Sequence, residues 1–448
     1  MAQLSHAIPI SAPQRSQARF WLGMLISFHI VTCCLSLIYI ADIYSALQVV
    51  MFNKAGLYAA VLNVVPFVAV SALFVFSRFS YGYFLGFYFY TMVLGYLWLV
   101  EFSKFHYDHR SAAISAFASA LAFFAPALFV VSPAKQTFIL SARALDSLLS
   151  FIMILAVAIV AFGALHNFRL IGITDIYNFR NEIEFPGWLR YAIGVTSNAL
   201  LPFAFACFAL RGNRWRAAAV LLLLLLFYPI TLSKLSLFAP FWLLFLMLLS
   251  TYFEARTSVV LSLFLPVLGG VILVYLFQSG VLRYDHISVY FGTVNFRMLA
   301  FSSAALDFYN DYFSTHSYTH FCQILFLKPF VDCPYTDPLS IVMSNAYHLG
   351  NMNASLFATE GVASVGLLLA PVSALACGLV ISLGNRLSSG LPSKFILLSG
   401  GVLSQIVLNV PLATTLLTNG GALLFLLWYV TPRTMFDREV GSPAAQAH

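Results

Sequence analysis

Residues 211–240 read RGNRWRAAAVLLLLLLFYPITLSKLSLFAP, and this stretch decides the fold. Three arginines lead into a long apolar run, a short polar break follows around Lys234, and a second apolar run begins at once. Apolar runs of this kind cross a bilayer as helices, because a helix satisfies its own backbone groups where no water can. Arginines at one end and a tight turn at the other describe a span that leaves an inner loop and doubles back near the outer interface.

The same block pattern fills the chain. Of 448 residues, 61% are apolar and only 9% are charged, too few to cover a water-facing surface of that size. Spans are predicted at roughly 20–41, 56–77, 81–101, 112–132, 147–165, 189–210, 217–233, 235–252, 258–279, 363–384, 395–415 and 417–431. The chain is therefore expected to be all-α, a single polytopic integral membrane domain over 1–448 with about twelve transmembrane helices. Strand-like alternation is absent, which excludes a barrel. The first span follows Arg15 and Arg19 without an evident cleavage site and reads as uncleaved.

Charge orients the spans. With both termini in the cytoplasm, the inner side holds thirteen Lys/Arg and four Asp/Glu, and the outer side ten and twelve. The inner excess is the positive-inside rule. The ten outer basic residues are not explained by topology, and function is sought among them. The net charge of +7 is scattered singly over short loops, so no nucleic-acid-binding stripe forms. Cys33, Cys34, Cys207 and Cys377 fall within spans as small apolar packers, whereas Cys322 and Cys333 share one outer loop and can pair there if it faces an oxidising compartment. His29 and Asn63 read as helix–helix hydrogen-bonding residues.

Two outer segments stand out. Residues 166–188 follow the scaffold helices of 20–165, and residues 280–361 separate the helices of 189–279 from the C-terminal helices of 362–431. Residues 432–448 form a cytoplasmic tail. The larger segment is too aromatic for a linker, and its stretch 295–312 has helical spacing, suggesting amphipathic helices on the membrane surface or over a cavity. No pair of Gly/Pro-broken spans of the transporter kind is evident.

Arg169 and Arg180 lie in the first outer segment, Lys234 at the tight turn, and Arg283, Arg297 and Lys328 in the second. Cations at a membrane face suit phosphate oxygens, guanidinium groups in bidentate fashion. Asp307, Asp311, His316, His320, His348 and Glu360 are candidate acids and bases. A hydroxyl attacking an anomeric carbon needs a positioned base and cations for a departing diphosphate, with no metal or nucleotide, so no cofactor is expected. Each histidine taken singly reads more readily as structural.

The order of these elements carries a resemblance. D-x-Y-x-x-R (Asp175, Tyr177, Arg180) is followed by an S-K turn (Ser233, Lys234), then an early arginine (Arg297) in a long aromatic loop. The loop closes on N-x-N-A-S-x-x-x-x-E-G (Asn351, Asn353, Ser355, Glu360, Gly361). Over residues 165–385 this resembles the Wzy-type bacterial polysaccharide polymerases. The resemblance implies a GT-C-like, metal-independent glycosyltransferase of the bacterial inner membrane. Its donor and acceptor would be undecaprenyl-diphosphate-linked oligosaccharides, and a chain-length regulator protein is a candidate partner. It further implies that Arg180, Lys234 and Arg297 hold diphosphate or glycan, with Glu360 near the acceptor. Beside these, Tyr177, Asn351, Asn353, Arg169 and Arg283 are this sequence's own candidates for further substrate contacts, and His316, His320 and Asp307 its further catalytic candidates. Two alternatives stay open: a flippase or other secondary transporter, which should bury charge deep in several spans, and an O-antigen ligase, for which His348 and Asn351 are loosely spaced.

Overall fold

The computed structural model describes residues 12–43, 49–172, 175, 176, 179, 183–324, 326–350 and 352–439. Among these no strand forms, and the chain is a bundle of helices. In chain order they are α1 Ala12–Ile43, α2 Lys54–Val70, α3 Ala72–Phe76, α4 Tyr81–Leu99, α5 His109–Phe129, α6 Ala142–His166, α7 Gly187–Val195, α8 Leu201–Leu210 and α9 Arg214–Thr231. There follow α10 Lys234–Tyr252, α11 Ala255–Gln278, α12 Tyr284–Phe291, α13 Phe301–Thr315, α14 Leu339–Tyr347, α15 Ser364–Ser388, α16 Ser393–Ile406, α17 Leu412–Leu417 and α18 Gly421–Val430.

Among the described residues, ten helices are long and apolar enough to cross a membrane, and they coincide with the first ten predicted spans. The last two predicted spans are shorter than expected: α16 has 14 residues and α18 only 10. Between them the chain is unwound at 407–411, where Pro411 cannot donate into a continuing helix.

Helix α4 forms the centre, with all 19 of its residues buried. A helix apolar on every side has no solvent face to present. Close approach comes from glycine: a Cβ on Gly82 would meet the Ala127 carbonyl oxygen of α5 at 2.1 Å, and one on Gly378 of α15 would meet the Phe123 carbonyl oxygen at 2.5 Å. Without aqueous solvent to drive association, such small-residue contacts supply the packing. His29 bonds Thr91 Oγ1 at 2.9 Å, and Asn63 donates to Glu101, so both act between helices as expected.

The predicted inner loops gather on one face. Arg211 pairs with Asp146, Arg256 donates to the Val75 and Ser77 carbonyls, Arg386 O accepts from Ala134 N, and Lys394 donates to Thr251. We call this the proximal face and the other, where α4 and α11 end, the distal face.

Cys322 and Cys333, beyond α13, form a disulfide with Cα atoms 5.3 Å apart, while Cys33, Cys207 and Cys377 are buried and unpaired, with Cys34 half-buried. Alkylating the denatured, unreduced protein should therefore modify four cysteines, and six after reduction. Intact mass reads the difference, and six adducts without reductant would rule the bond out.

Candidate functional site

The segment predicted as the start of a large outer loop is instead a bent helix sunk into the bundle. Residues 284–315 run without a break through α12, a π-helical segment Gly292–Ala300 and α13. Its path follows from its partners. Tyr88 and Ser262 share a hydrogen bond of 2.7 Å, each seven residues past the start of its helix, so α4 and α11 stand side by side in register. Tyr284 stacks edge-on to Phe277 near the distal end of α11, Tyr290 donates to Pro266 O, and Asn295 donates to Val267 O and Ser36 Oγ. The helix thus descends beside α11 to a level twelve residues, about 18 Å, above the proximal end.

From there it turns. Ser303 fills the space beside Gly95, and Asp307 reaches Ser103 beyond the distal end of α4. The bend coincides with the π-helical segment, a common cause of kinks. Periodicity foretold a helix over 295–312 but not its burial: residues 299–310 are all buried. Its serines and alanines, read as polar spacing, are the small residues that permit close packing.

Two carboxyl sites result. Asp307 is 1% exposed; Ser103 Oγ donates to its Oδ2 at 2.7 Å and Tyr107 donates to its Oδ1. Tyr107 also bonds Tyr96, which accepts from Asn310 Nδ2 at 3.0 Å. Burial raises the Asp307 carboxyl to about 7, against the opposing pull of the Tyr107 and Ser103 hydrogen bonds. Tyr107 leads outward from it, edge-on to His109, and one turn further along α13 Asp311 accepts from Tyr347 at 2.6 Å. The partners Ser103 and Tyr107 precede Asp307 by some two hundred residues, and nothing in the sequence marks them.

Glu360 forms the second site. It lies in a π-helical segment, Phe357–Ala363, that leads into α15, and is 4% exposed. Its Oε1 accepts from Ala413 N of α17 at 2.9 Å, and its Oε2 from Thr359 Oγ1 at 2.5 Å. Six residues on, Gly366 breaks α15 at φ +74°. The bundle therefore contains two broken helices side by side, which the sequence reading did not mark. The first break rests on a single glycine and the second on Pro411 and the chain before it, so neither resembles a Gly/Pro-rich interruption. Between the two carboxyl sites a small cavity is lined by Ser115, Ser119, Leu306, Asn310, Phe357 and Val362. Ser119 Oγ and Asn310 Oδ1 have no hydrogen-bond partner, which suits a buried water.

Gly366 also offers a test of the break. A Cβ there would sit 2.6 Å from the Tyr318 phenol, and φ +74° with ψ 176° is a region essentially restricted to glycine, costing another residue about 1–3 kcal/mol. Gly366→Ala should lower the melting temperature of the detergent-solubilised protein, and Tyr318→Ala in the same chain should restore only the steric part. An unchanged melting temperature would remove the break from consideration.

The other candidate residues are dispersed. Arg169 is exposed, with its guanidinium 5.5 Å from the Phe179 ring. Lys234 is half-buried at the first turn of α10, and Arg283 is exposed beside Asp285 at 3.8 Å. Arg297 lies half-buried at the turn of the bent helix rather than on an aqueous loop, its guanidinium 4.5 Å from the Phe301 ring. His316 is exposed and stacked on Tyr312, and exposed His320 donates its backbone N–H to Ser364 O. Neither histidine joins the Asp307 or Glu360 hydrogen bonds. Asn353 is exposed, while Tyr177, Arg180 and Asn351 lie outside the described residues. Among the described residues, no group of three or more His, Cys, Asp or Glu is arranged to hold a metal ion.

No family model matches the chain, and neither the curated proteins nor the solved structures compared with it include a significant match.

Proposed function

We propose that this chain is a glycosyltransferase joining oligosaccharide units carried on a polyprenyl diphosphate, with the distal face turned to the periplasm. The observation that carries the reading is Asp307. A carboxyl raised to about 7, at the end of the bundle and contacted by hydroxyls, is matched to taking a proton from a sugar hydroxyl at neutral pH. In this reading Asp307 is the general base and Tyr107 relays the proton. Arg169, Lys234 and Arg297 are assigned to the diphosphate leaving group, with Arg180 in the same role. The disulfide supports the orientation, because such bonds persist on the oxidising side of a membrane.

A second reading, translocation of the same lipid-linked glycan, is favoured by one observation. Glu360 is buried and Arg297 half-buried beside broken or bent helices, as in transporters whose sites are built from discontinuous spans. Turnover of a lipid-linked repeat unit by the purified protein, without nucleotide sugar, separates the two. Longer lipid-linked glycans support the transferase. Unaltered substrate that crosses the bilayer of a proteoliposome supports translocation and refutes the first reading.

A further inference from the structure

Three segments of the proximal face are stitched together by backbone bonds. Ala134 N donates to Arg386 O, Leu140 N donates to Val430 O, and Gln136 Nε2 donates to Thr431 O at 3.3 Å. The α5–α6 connection, the end of α15 and the chain leaving α18 therefore meet, and they bring Lys135, Arg386 and Arg433 into one neighbourhood. Arg433 is the informative member. Its side chain lies across Gly390, with Cδ, Nε and Cζ 2.9–3.2 Å from where a Cβ would stand. Its Nε and Nη2 are buried and have no hydrogen-bond partner.

A guanidinium with two buried, unsatisfied nitrogens is costly unless an anion completes it. The chain does not supply one among its described side chains. On this face Asp146 is taken by Arg211 and Glu254 by Arg256, and no ion pair joins Lys135, Arg386 or Arg433 to an acid. Beside the cations stand exposed apolar residues: Phe138 and Ile139 next to Lys135, Leu383 before Arg386, and Leu426 on α18. Cations bordered by apolar surface at the end of a bundle match a phosphate group that carries acyl chains.

We infer that Lys135, Arg386 and Arg433 form a binding site for the phosphate of an anionic lipid at the proximal face. The site is separate from the distal carboxyls and does not depend on the function proposed for them. Arg433 contributes its half-buried charge at the base of the site, and the exposed Lys135 and Arg386 supply charge at its rim.

The full chain, reconstituted in phosphatidylcholine nanodiscs with or without phosphatidylglycerol, tests this by its melting temperature. Phosphatidylglycerol should raise the wild-type value by several degrees, and Arg433→Gln should remove most of that rise. Arg214→Gln, an exposed basic residue elsewhere on the same face, should keep it. Inorganic phosphate added to pure phosphatidylcholine discs identifies the source. No rise with free phosphate supports the lipid, and an equal rise assigns the site to soluble phosphate and overturns the lipid. If Arg433→Gln does not fold, Lys135→Gln and Arg386→Gln serve, each expected to reduce the rise. An equal rise in wild type and variants, or none in wild type, overturns the site.

Discussion

Under the proposed glycosyltransferase reading, Asp307→Asn is expected to lower the rate at which lipid-linked repeat units are joined by about 10²–10⁴-fold, the usual contribution of a positioned proton acceptor. The substitution is nearly isosteric. An amide oxygen can still accept from one of Ser103 and Tyr107, and the amide nitrogen can donate to the hydroxyl oxygen of the other. Packing around α13 should survive, so protein yield should stay near wild type. Wild-type rate should rise with pH through about 7 and then level off, because the reactive form is the carboxylate. Loss of that rise in Asp307→Asn, together with the loss of rate, identifies the base. A variant with full activity and the same pH profile would remove Asp307 from the chemistry.

Stability provides an independent check with a definite sign. The folded-state value of about 7 lies above the ordinary 3.8, so folding binds the proton more tightly than the unfolded chain does. The stabilisation from this proton is complete below pH 3.8 and is lost as pH rises through about 7. Wild type should therefore melt at progressively lower temperature between about pH 4 and 7 relative to Asp307→Asn, which has no proton to lose at this position. The same carboxyl thus gains reactivity and loses stability over one pH interval, and a purely structural aspartate would show only the second effect.

The first ten spans and the gathering of basic loops on one face were legible because hydropathy and charge act locally: each run declares itself within its own twenty-odd residues. The path of residues 284–315 was not. Its depth depends on Asn295 finding Ser36 and Val267, and on Ser303 fitting against Gly95, contacts with residues far away in the chain. A buried helix whose polar positions are met by other helices has the composition of a surface helix. Asp307 and Glu360 were visible as ionisable residues in an apolar chain, but their partners were not. A backbone amide such as Ala413 N carries no sequence signal, and Tyr107 is one of 22 tyrosines. The histidines misdirected attention for the opposite reason: their chemistry is conspicuous in sequence, yet His316 and His320 face outward.

Glu360 joins the two broken helices, and a pair of substitutions should separate its structural role from its chemical one. Glu360→Ala leaves the Ala413 N–H without an acceptor in a buried position, at a cost of about 1–3 kcal/mol, and opens a gap between the π-helical segment and α17. That variant should melt well below wild type. Glu360→Gln keeps an oxygen for Ala413 N, and its amide nitrogen can donate to the Thr359 hydroxyl oxygen, so its melting temperature should lie close to wild type. If the carboxylate only fastens α17 to the segment before α15, Glu360→Gln retains its activity. The proposed acceptor-side role predicts otherwise: a folded Glu360→Gln protein with at least about tenfold lower turnover, since charge and not merely an acceptor atom is lost. Melting curves and repeat-unit turnover measured on the same preparations decide the matter. Normal turnover in Glu360→Gln would leave Glu360 as a fastening between helices and concentrate the chemistry on Asp307.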